Sequence, residues 1–126
     1  MRHMSTDQRR ALGTAGEDLA AAHLERLGHT ILARNHRTRY GELDLVTCSG
    51  DTLVFVEVKT RRQSRHGSPW DSLHERKRSQ VRRMAAAYLS EVSGRPRTRE
   101  IRFDAIGIIF DTHDALVSLE HLEGAF

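Results

Sequence analysis

Residues 53–60 read LVFVEVKT, a run of apolar and β-branched residues that predicts a buried β-strand. Two charged residues, Glu57 and Lys59, interrupt the run. Successive side chains of a strand point to opposite faces, so both charges fall on the same face as Phe55, and the three valines fall on the other. The stretch therefore predicts a strand with one aliphatic face and one charged face.

A second strand lies just before this one, in the sequence GELDLVTC at residues 41–48. The residues SGD between them (49–51) are typical of a hairpin turn, so we expect the two strands to be antiparallel neighbours. Their aliphatic faces should coincide, which puts Leu43 and Leu45 together on the core side. The other face would then carry four charged side chains: Glu42, Asp44, Glu57 and Lys59.

The sequence predicts a helix on each side of this hairpin. The first spans residues 5–28, but Gly13 and Gly16 weaken its first turns, so its firm part should begin near Thr14. The second spans residues 75–92 and carries an apolar stripe. Further strands are expected near residues 30–34, 101–110 and 115–122. The order α-β-β-β-α-β-(β) indicates an α/β fold with a mixed sheet flanked by helices.

The chain length suits a single domain over residues 1–126, with residues 1–12 loosely ordered. The net charge is +3, and the cations are 18 arginines and two lysines, Lys59 and Lys77. Arginine suits phosphate oxygens, so a polyanionic partner is one explanation of this bias, and an arginine-rich solvated surface is the other. No apolar run has the length of a membrane span. The single cysteine, Cys48, is expected to be a small buried side chain, and a chain with one unpaired cysteine suits the reducing cytoplasm.

The four charged side chains predicted on one face of the hairpin favour a metal-binding or catalytic role over a stabilising one. Carboxylates held close together raise one another's pKa, and a divalent cation would relieve their repulsion. Magnesium typically takes one or two protein carboxylates together with water and phosphate oxygens. A neighbouring lysine could then stabilise charge on a reacting phosphate or orient the attacking water. The alternative is a cross-strand ladder between Glu57 and Lys59 on a solvated face of the sheet.

The order GELDLV followed by LVFVEVKTR resembles the signature of the PD-(D/E)xK nucleases. Several further stretches are similar to the bacterial YraN family, which is often described as Holliday-junction-resolvase-like. They are GTAGEDLAAAHLERLGHTILARNHRTRYGELDLV, GSPWDSL…K, AAAYL and RFDAIGI. The resemblance covers roughly residues 13–110 and implies a restriction-endonuclease-like core, whose α-β-β-β-α-β order matches the one predicted above.

The resemblance also implies roles for individual residues. Asp44 and Glu57 match the metal-ligating carboxylates, with Mg²⁺ or Mn²⁺ as the cofactor, and Lys59 matches the catalytic lysine. Glu17 matches a glutamate that the first helix brings to the same site, although an exposed helix acid is the plain alternative. Glu42 would be an outer group of the site or a salt-bridge partner.

Basic residues cluster in the sequence near these positions and predict a nucleic-acid surface. The candidates for phosphate contacts are Arg37, Arg39, Arg61, Arg62, Arg65, Arg76, Lys77 and Arg83. Tyr40 and Trp70 could stack on unpaired bases, but packing or loop anchoring is the simpler interpretation of Trp70.

The leading hypothesis from the sequence is a Mg²⁺- or Mn²⁺-dependent nuclease that hydrolyses phosphodiester bonds in structured or branched DNA. A homodimer is implied if both strands are cut, because one small subunit offers one active site. The alternatives are a nucleic-acid-binding module of the same fold without turnover, and a metal-binding assembly factor whose basic surface meets RNA or an acidic protein.

Overall fold

The computed structural model describes residues 5–63, 70 and 74–126, and within these residues two helices and five strands follow one another. The helices are α1 (Thr6–Arg26) and α2 (Glu75–Glu91). The strands are β1 (Thr30–Thr38), β2 (Gly41–Ser49), β3 (Thr52–Arg62), β4 (Glu100–Phe110) and β5 (Leu116–Leu122). The predicted order of elements is confirmed, including the fifth strand that the sequence left open.

The five strands form one mixed sheet in the order β1-β2-β3-β4-β5. Antiparallel pairing joins β1 to β2, β2 to β3 and β4 to β5, whereas β3 and β4 are parallel. The hairpin between β2 and β3 turns through Gly50 and Asp51, and Gly50 has the φ of +57° that such a tight turn requires. Helix α2 lies between the two parallel strands in the chain, as a crossover connection must.

Both faces of the sheet are covered, because α1 packs on one face and α2 on the other. The α1-side cluster combines apolar residues of α1 with Leu45, Val54 and Val56 of the hairpin. The α2-side cluster combines apolar residues of α2 with Leu43 and Phe55. Helices thus cover both faces of β3: Glu57 is buried and Lys59 is half-buried, whereas Glu42 on β2 remains exposed.

The prediction that Leu43 and Leu45 share a face is wrong. They pack in different clusters because the alternation of β2 breaks at Asp44. The regular pairing of β2 with β3 ends at Leu45 opposite Val56. On the other side of β2, the regular pairing with β1 omits Asn35, whose φ is +52°. The hairpin therefore twists and separates at the position of the candidate aspartate.

Helix α1 confirms the helix predicted over residues 5–28, and its first turn is well capped. The side chain of Ser5 accepts a hydrogen bond from the backbone N–H of Gln8, and the Gln8 side chain accepts one from the backbone N–H of Ser5. This capping box stabilises the first turn, so the helix is regular from Thr6, ahead of Thr14, where its firm part was expected to begin.

Two smaller expectations concern the thiol and the membrane. Cys48 is half-buried rather than buried, since it lies next to the hairpin turn and its Sγ is 3.5 Å from the carbonyl oxygen of Gly50. Among the described residues, neither helix combines the length and the apolar character that crossing a membrane requires.

Candidate active site

The candidate site lies where β2 and β3 separate. Beyond Leu45 the backbone pairing between the two strands stops. Beyond this point, the side chain of Asp44 pairs with the backbone of β3: its Oδ2 accepts a hydrogen bond of 2.8 Å from the backbone N–H of Val58. The side chain of Asp44 thus bridges the gap to the E-x-K segment where the backbone pairing has ended.

Asp44 and Glu57 form a close pair of carboxyl groups, in which Asp44 is half-buried and Glu57 is buried. Burial raises the pKa of Asp44, and the negative charge of Glu57 raises it further, so that it reaches about 8. The hydrogen bond from Val58 acts in the opposite direction but does not compensate. At neutral pH the metal-free site therefore holds a proton on Asp44 that a cation would have to displace.

Glu57 is the most enclosed acid of this site, with a side chain only 4% exposed. Its Oε1 lies 3.7 Å from Nζ of Lys59 and 3.1 Å from Nζ of Lys77. A buried carboxylate is costly unless cations accompany it, and these two ammonium groups provide that compensation. Lys59 reaches it along β3, whereas Lys77 reaches it from the first turn of α2.

Glu17 approaches the same place from α1. Its negative charge also raises the pKa of Asp44, and its own pKa is raised, first by burial. A close packing of α1 on β3 allows this approach: a Cβ atom added at Gly16 would lie 2.0 Å from Oγ1 of Thr60. Gly16 is therefore required for the helix to bring Glu17 beside the hairpin.

Asn35 connects two of the outer acids, although sequence reasoning gave it no role. With its amide oriented so that the nitrogen faces the acceptors, it donates to Oε2 of Glu17 (3.0 Å) and to Oε1 of Glu42 (3.2 Å). Its left-handed backbone, which asparagine tolerates better than most residues, turns the amide toward them. The only signal in the sequence was an Asn inside a strand, where asparagine is uncommon.

Two grooves meet at Lys59. A groove of about 770 Å³ opens toward α2, and six of the residues that line it are Tyr40, Lys59, Arg76, Lys77, Gln80 and Arg83. A second groove of about 540 Å³ opens toward α1, and its lining includes Arg9, Glu17, Lys59, Thr60, Arg61 and Arg62. Lys59 thus stands between two solvent-accessible channels that both carry basic side chains.

The structure separates the predicted phosphate-binding residues into groups. Arg76, Lys77 and Arg83 line the groove on the α2 side, and Arg61 and Arg62 line the one on the α1 side. Arg62 also pairs with Asp114 at 2.7 Å, which holds it toward the turn before β5.

The remaining basic candidates lie on or beside β1. The side chain of Arg37 is 85% exposed and lies 3.8 Å from Glu42, which makes Glu42 a salt-bridge partner. Arg39 stacks on the ring of Tyr40, so that ring contacts a guanidinium. Arg65 lies outside the described residues, whereas the indole of Trp70 donates to Glu120 at 3.1 Å, an anchoring contact.

Arg9 was missed because the first turns of α1 were expected to be loose. It lies two turns before Glu17 on the same helix and lines the same groove as Glu17 and Lys59. The capping box formed by Ser5 and Gln8 was the signal that could have revealed it, since a well-capped first turn extends the helix to this arginine.

The donors at the hairpin fit a magnesium-like cation in only one way. Among the described residues, no group of three or more His, Cys, Asp or Glu side chains is arranged to hold an ion. Asp44 and Glu57 form a pair instead, and a pair of carboxylates completed by water and phosphate oxygens is the usual protein contribution to a Mg²⁺ site. The two residues therefore fit a cation whose remaining ligands are water molecules and, once substrate is bound, phosphate oxygens.

Known protein sequences are similar to this one over most of its length. Residues 16–108 match the uncharacterised protein family UPF0102. A UPF0102 protein of Pelotomaculum thermopropionicum is 46% identical over 121 residues, which cover 95% of this chain and 98% of that protein. One from Acidothermus cellulolyticus is 46% identical over 126 residues, covering 94% and 95% of the two chains. These matches confirm the resemblance to the YraN family, and the names of these relatives assign no activity.

Proposed function

The chain belongs to the uncharacterised protein family UPF0102, and from its site we propose that it is a divalent-cation-dependent nuclease acting on structured or branched DNA. One observation carries the proposal: a close pair of carboxyl groups, the half-buried Asp44 and the buried Glu57, lies beside Lys59 at the junction of two basic grooves. Such a pair costs folding energy, so a protein that only needed a stable hairpin would have no reason to keep it.

We include in the proposal the restriction-endonuclease-like arrangement. Its support is the α-β-β-β-α-β order, the break in β2 at Asp44, and the E-x-K segment on the neighbouring strand. Mg²⁺ or Mn²⁺ is the proposed cofactor, with Asp44 and Glu57 as its protein ligands. A cytoplasmic location and a homodimer for substrates in which both strands are cut belong to the same proposal.

The residues of the chain divide the work between them. When bound, the cation would supply positive charge at the scissile phosphate and lower the pKa of a water molecule. Asp44 and Glu57 hold it at the hairpin. Lys59 places an ammonium group at the junction of the grooves, where it stabilises the negative charge that grows on the phosphate oxygens in the transition state.

The grooves supply the binding energy for a charged strand. Arg76 and Arg83 line the channel on one side of Lys59, and Arg9 and Arg61 line the channel on the other. Phosphates bound in both channels would hold the scissile bond over Lys59 and restrict its motion, which is a large part of what positioning contributes to catalysis.

A nucleic-acid-binding module without turnover is the second candidate. The observation that favours it is the neutralisation of Glu57 by two lysines, which already satisfies a buried carboxylate without a metal ion. In that case the basic grooves would bind nucleic acid, and the carboxyl pair would be structural.

A cleavage screen separates the two candidates. Purified protein is incubated with four-way junctions, flaps, single strands and duplex DNA in Mg²⁺, Mn²⁺ or EDTA. We expect metal-dependent cleavage of a branched substrate that Asp44→Asn and Lys59→Met abolish. The matched control is Asp51→Asn, an exposed aspartate at the turn of the same hairpin, which should cleave like the wild type. Binding that persists in all variants without any cleavage would favour the module.

A further inference from the structure

The two lysines of the chain converge on one atom. Eighteen of the twenty cationic side chains are arginines, and the exceptions are Lys59 and Lys77. Although 18 residues separate them in sequence, both ammonium groups lie within salt-bridge distance of Oε1 of Glu57, at 3.7 Å and 3.1 Å. In this arginine-rich chain, the contact with Glu57 therefore explains why positions 59 and 77 carry lysine and not arginine.

The shape of the cation explains this preference for lysine. An ammonium group is a compact charge on a flexible stem, whereas a guanidinium is a broad plane that prefers bidentate partners. Glu57 offers little open surface, and the carboxyl group of Asp44 already lies on it, so a compact cation is the one that fits. The stem of Lys77 lies in the basic groove, and its side chain is 24% exposed.

The position of Lys77 competes with the proposed use of Glu57. It is the third residue of α2, where a positive charge opposes the helix dipole, so its contact with Glu57 offsets an unfavourable placement. When a divalent cation takes oxygen atoms of Glu57, the ammonium group of Lys77 loses this partner. The nearest space open to it is the groove that already contains Arg76 and Arg83.

We propose that Lys77 exchanges partners: it neutralises Glu57 in the metal-free protein and binds a substrate phosphate when a divalent cation occupies the hairpin. This inference rests on the proposed function and adds a substrate-binding residue to it. Lys77 thereby couples the two binding events, because the cation frees the ammonium group that the nucleic acid then uses. Arg83 lines the same groove, and among the described residues the salt bridges of Glu57 go to Lys59 and Lys77, so Arg83 should bind phosphate whether or not a cation is present.

Binding measurements test this exchange without requiring turnover. A fluorescently labelled four-way DNA junction is titrated with protein, and anisotropy is read in EDTA and in Ca²⁺, which serves as a cation for binding. The variants are Lys77→Met, Arg83→Ala as the matched groove control, and Lys77→Arg. Thermal unfolding of each variant checks that its fold is retained.

We expect Ca²⁺ to strengthen junction binding by the wild type. Lys77→Met should lose affinity by about tenfold in Ca²⁺, the worth of one charge-assisted hydrogen bond, and by much less in EDTA. Arg83→Ala should lose affinity for the junction by about the same tenfold factor in Ca²⁺ and in EDTA. Lys77→Arg should fall short of the wild type in Ca²⁺, since the broad guanidinium does not fit the exchange.

Calorimetric titration with Ca²⁺ alone gives a second readout. Lys77→Met should bind Ca²⁺ more tightly than the wild type, because no ammonium group competes for Glu57. A purely structural strut between α2 and β3 would instead give weaker binding in the variant, and that result would overturn the inference. Equal losses by Lys77→Met in Ca²⁺ and EDTA would overturn it as well, while leaving the nuclease proposal intact. If Ca²⁺ changed junction binding by the wild type not at all, the proposed function itself would fail.

Discussion

Replacing Asp44 with asparagine should make the metal-free protein more stable, although it removes a proposed metal ligand. The asparagine keeps an oxygen that can accept the hydrogen bond from the backbone N–H of Val58. It removes a carboxyl group that burial and the charge of Glu57 both disfavour in its ionised form. A site that costs stability is expected where binding or catalysis requires it.

The magnitude follows from the pKa of Asp44. Folding raises it from 3.8 to about 8, and each pKa unit corresponds to about 1.4 kcal/mol, so the ionised side chain costs at most about 6 kcal/mol of folding free energy. Relaxation and water entry reduce the cost of a buried charge. We therefore expect Asp44→Asn to raise the free energy of unfolding by about 2–4 kcal/mol at pH 8.

The pH dependence has a definite sign. Because the pKa of Asp44 is higher in the folded state, the folded protein binds this proton more tightly than the unfolded chain. The stability of the wild type that is linked to this proton is fully present below about pH 4 and is lost as the pH rises toward 8. Asp44→Asn has no such proton, so its advantage over the wild type should grow across this window.

Urea unfolding followed by circular dichroism, in EDTA from pH 5 to pH 8.5, measures the difference. Mg²⁺ should stabilise the wild type more at pH 8 than at pH 6, since it competes with the proton of Asp44, and it should not stabilise Asp44→Asn. The exposed Asp51→Asn should follow the wild type throughout. An Asp44→Asn variant that is less stable than the wild type at pH 8 would refute the reasoning.

Three further predictions concern packing, a buried network and the grooves. Gly16→Ala should lower the free energy of unfolding by about 1–3 kcal/mol and reduce cleavage, because its Cβ collides with Thr60. In the control Gly13→Ala the added Cβ meets nothing within 4 Å, so urea unfolding should show a gain of about 0.5–1 kcal/mol in that free energy. Asp104→Asn should cost about 2–4 kcal/mol at pH 7, because the fully buried carboxylate accepts hydrogen bonds from Arg102, His121 and the backbone of Gly124. Those bonds outweigh burial and lower the pKa of Asp104, so the variant should lack the part of the acid-induced loss of stability that sets in below about pH 4. Arg83→Ala should weaken binding to every DNA sequence alike and reduce the salt dependence by about one counterion, read from anisotropy at several salt concentrations.

The sequence predicted the sheet well because its signals are local. The hairpin of β2 and β3 follows from a Gly-Asp turn between two β-rich runs, and α2 follows from its apolar stripe. The convergence of Asp44, Glu57 and Lys59 was also predicted, from strand alternation in part and from resemblance in part. Alternation alone placed Leu43 and Leu45 on one face, and it failed because the strand breaks at Asp44.

Contacts between distant segments could not be predicted in this way. Nothing in the residues around Lys77 shows that its ammonium group meets a carboxylate of β3, since the contact depends on how α2 packs on the sheet. The bridge from Asn35 to Glu17 likewise depends on a left-handed residue and on the approach of α1. Alternation and helical periodicity describe each element by itself, whereas a site depends on the angles between elements.

The most direct test of the central claim, that Asp44 and Glu57 together hold a divalent cation beside Lys59, is anomalous diffraction from crystals grown with Mn²⁺ and a short DNA strand. We expect a single strong anomalous peak at the hairpin, within about 2.3 Å of a carboxylate oxygen of each of the two residues. Crystals of Asp44→Asn should lose the peak. Mn²⁺ bound elsewhere in a protein that cleaves DNA, or DNA bound in the grooves without any peak at the hairpin, would contradict the claim.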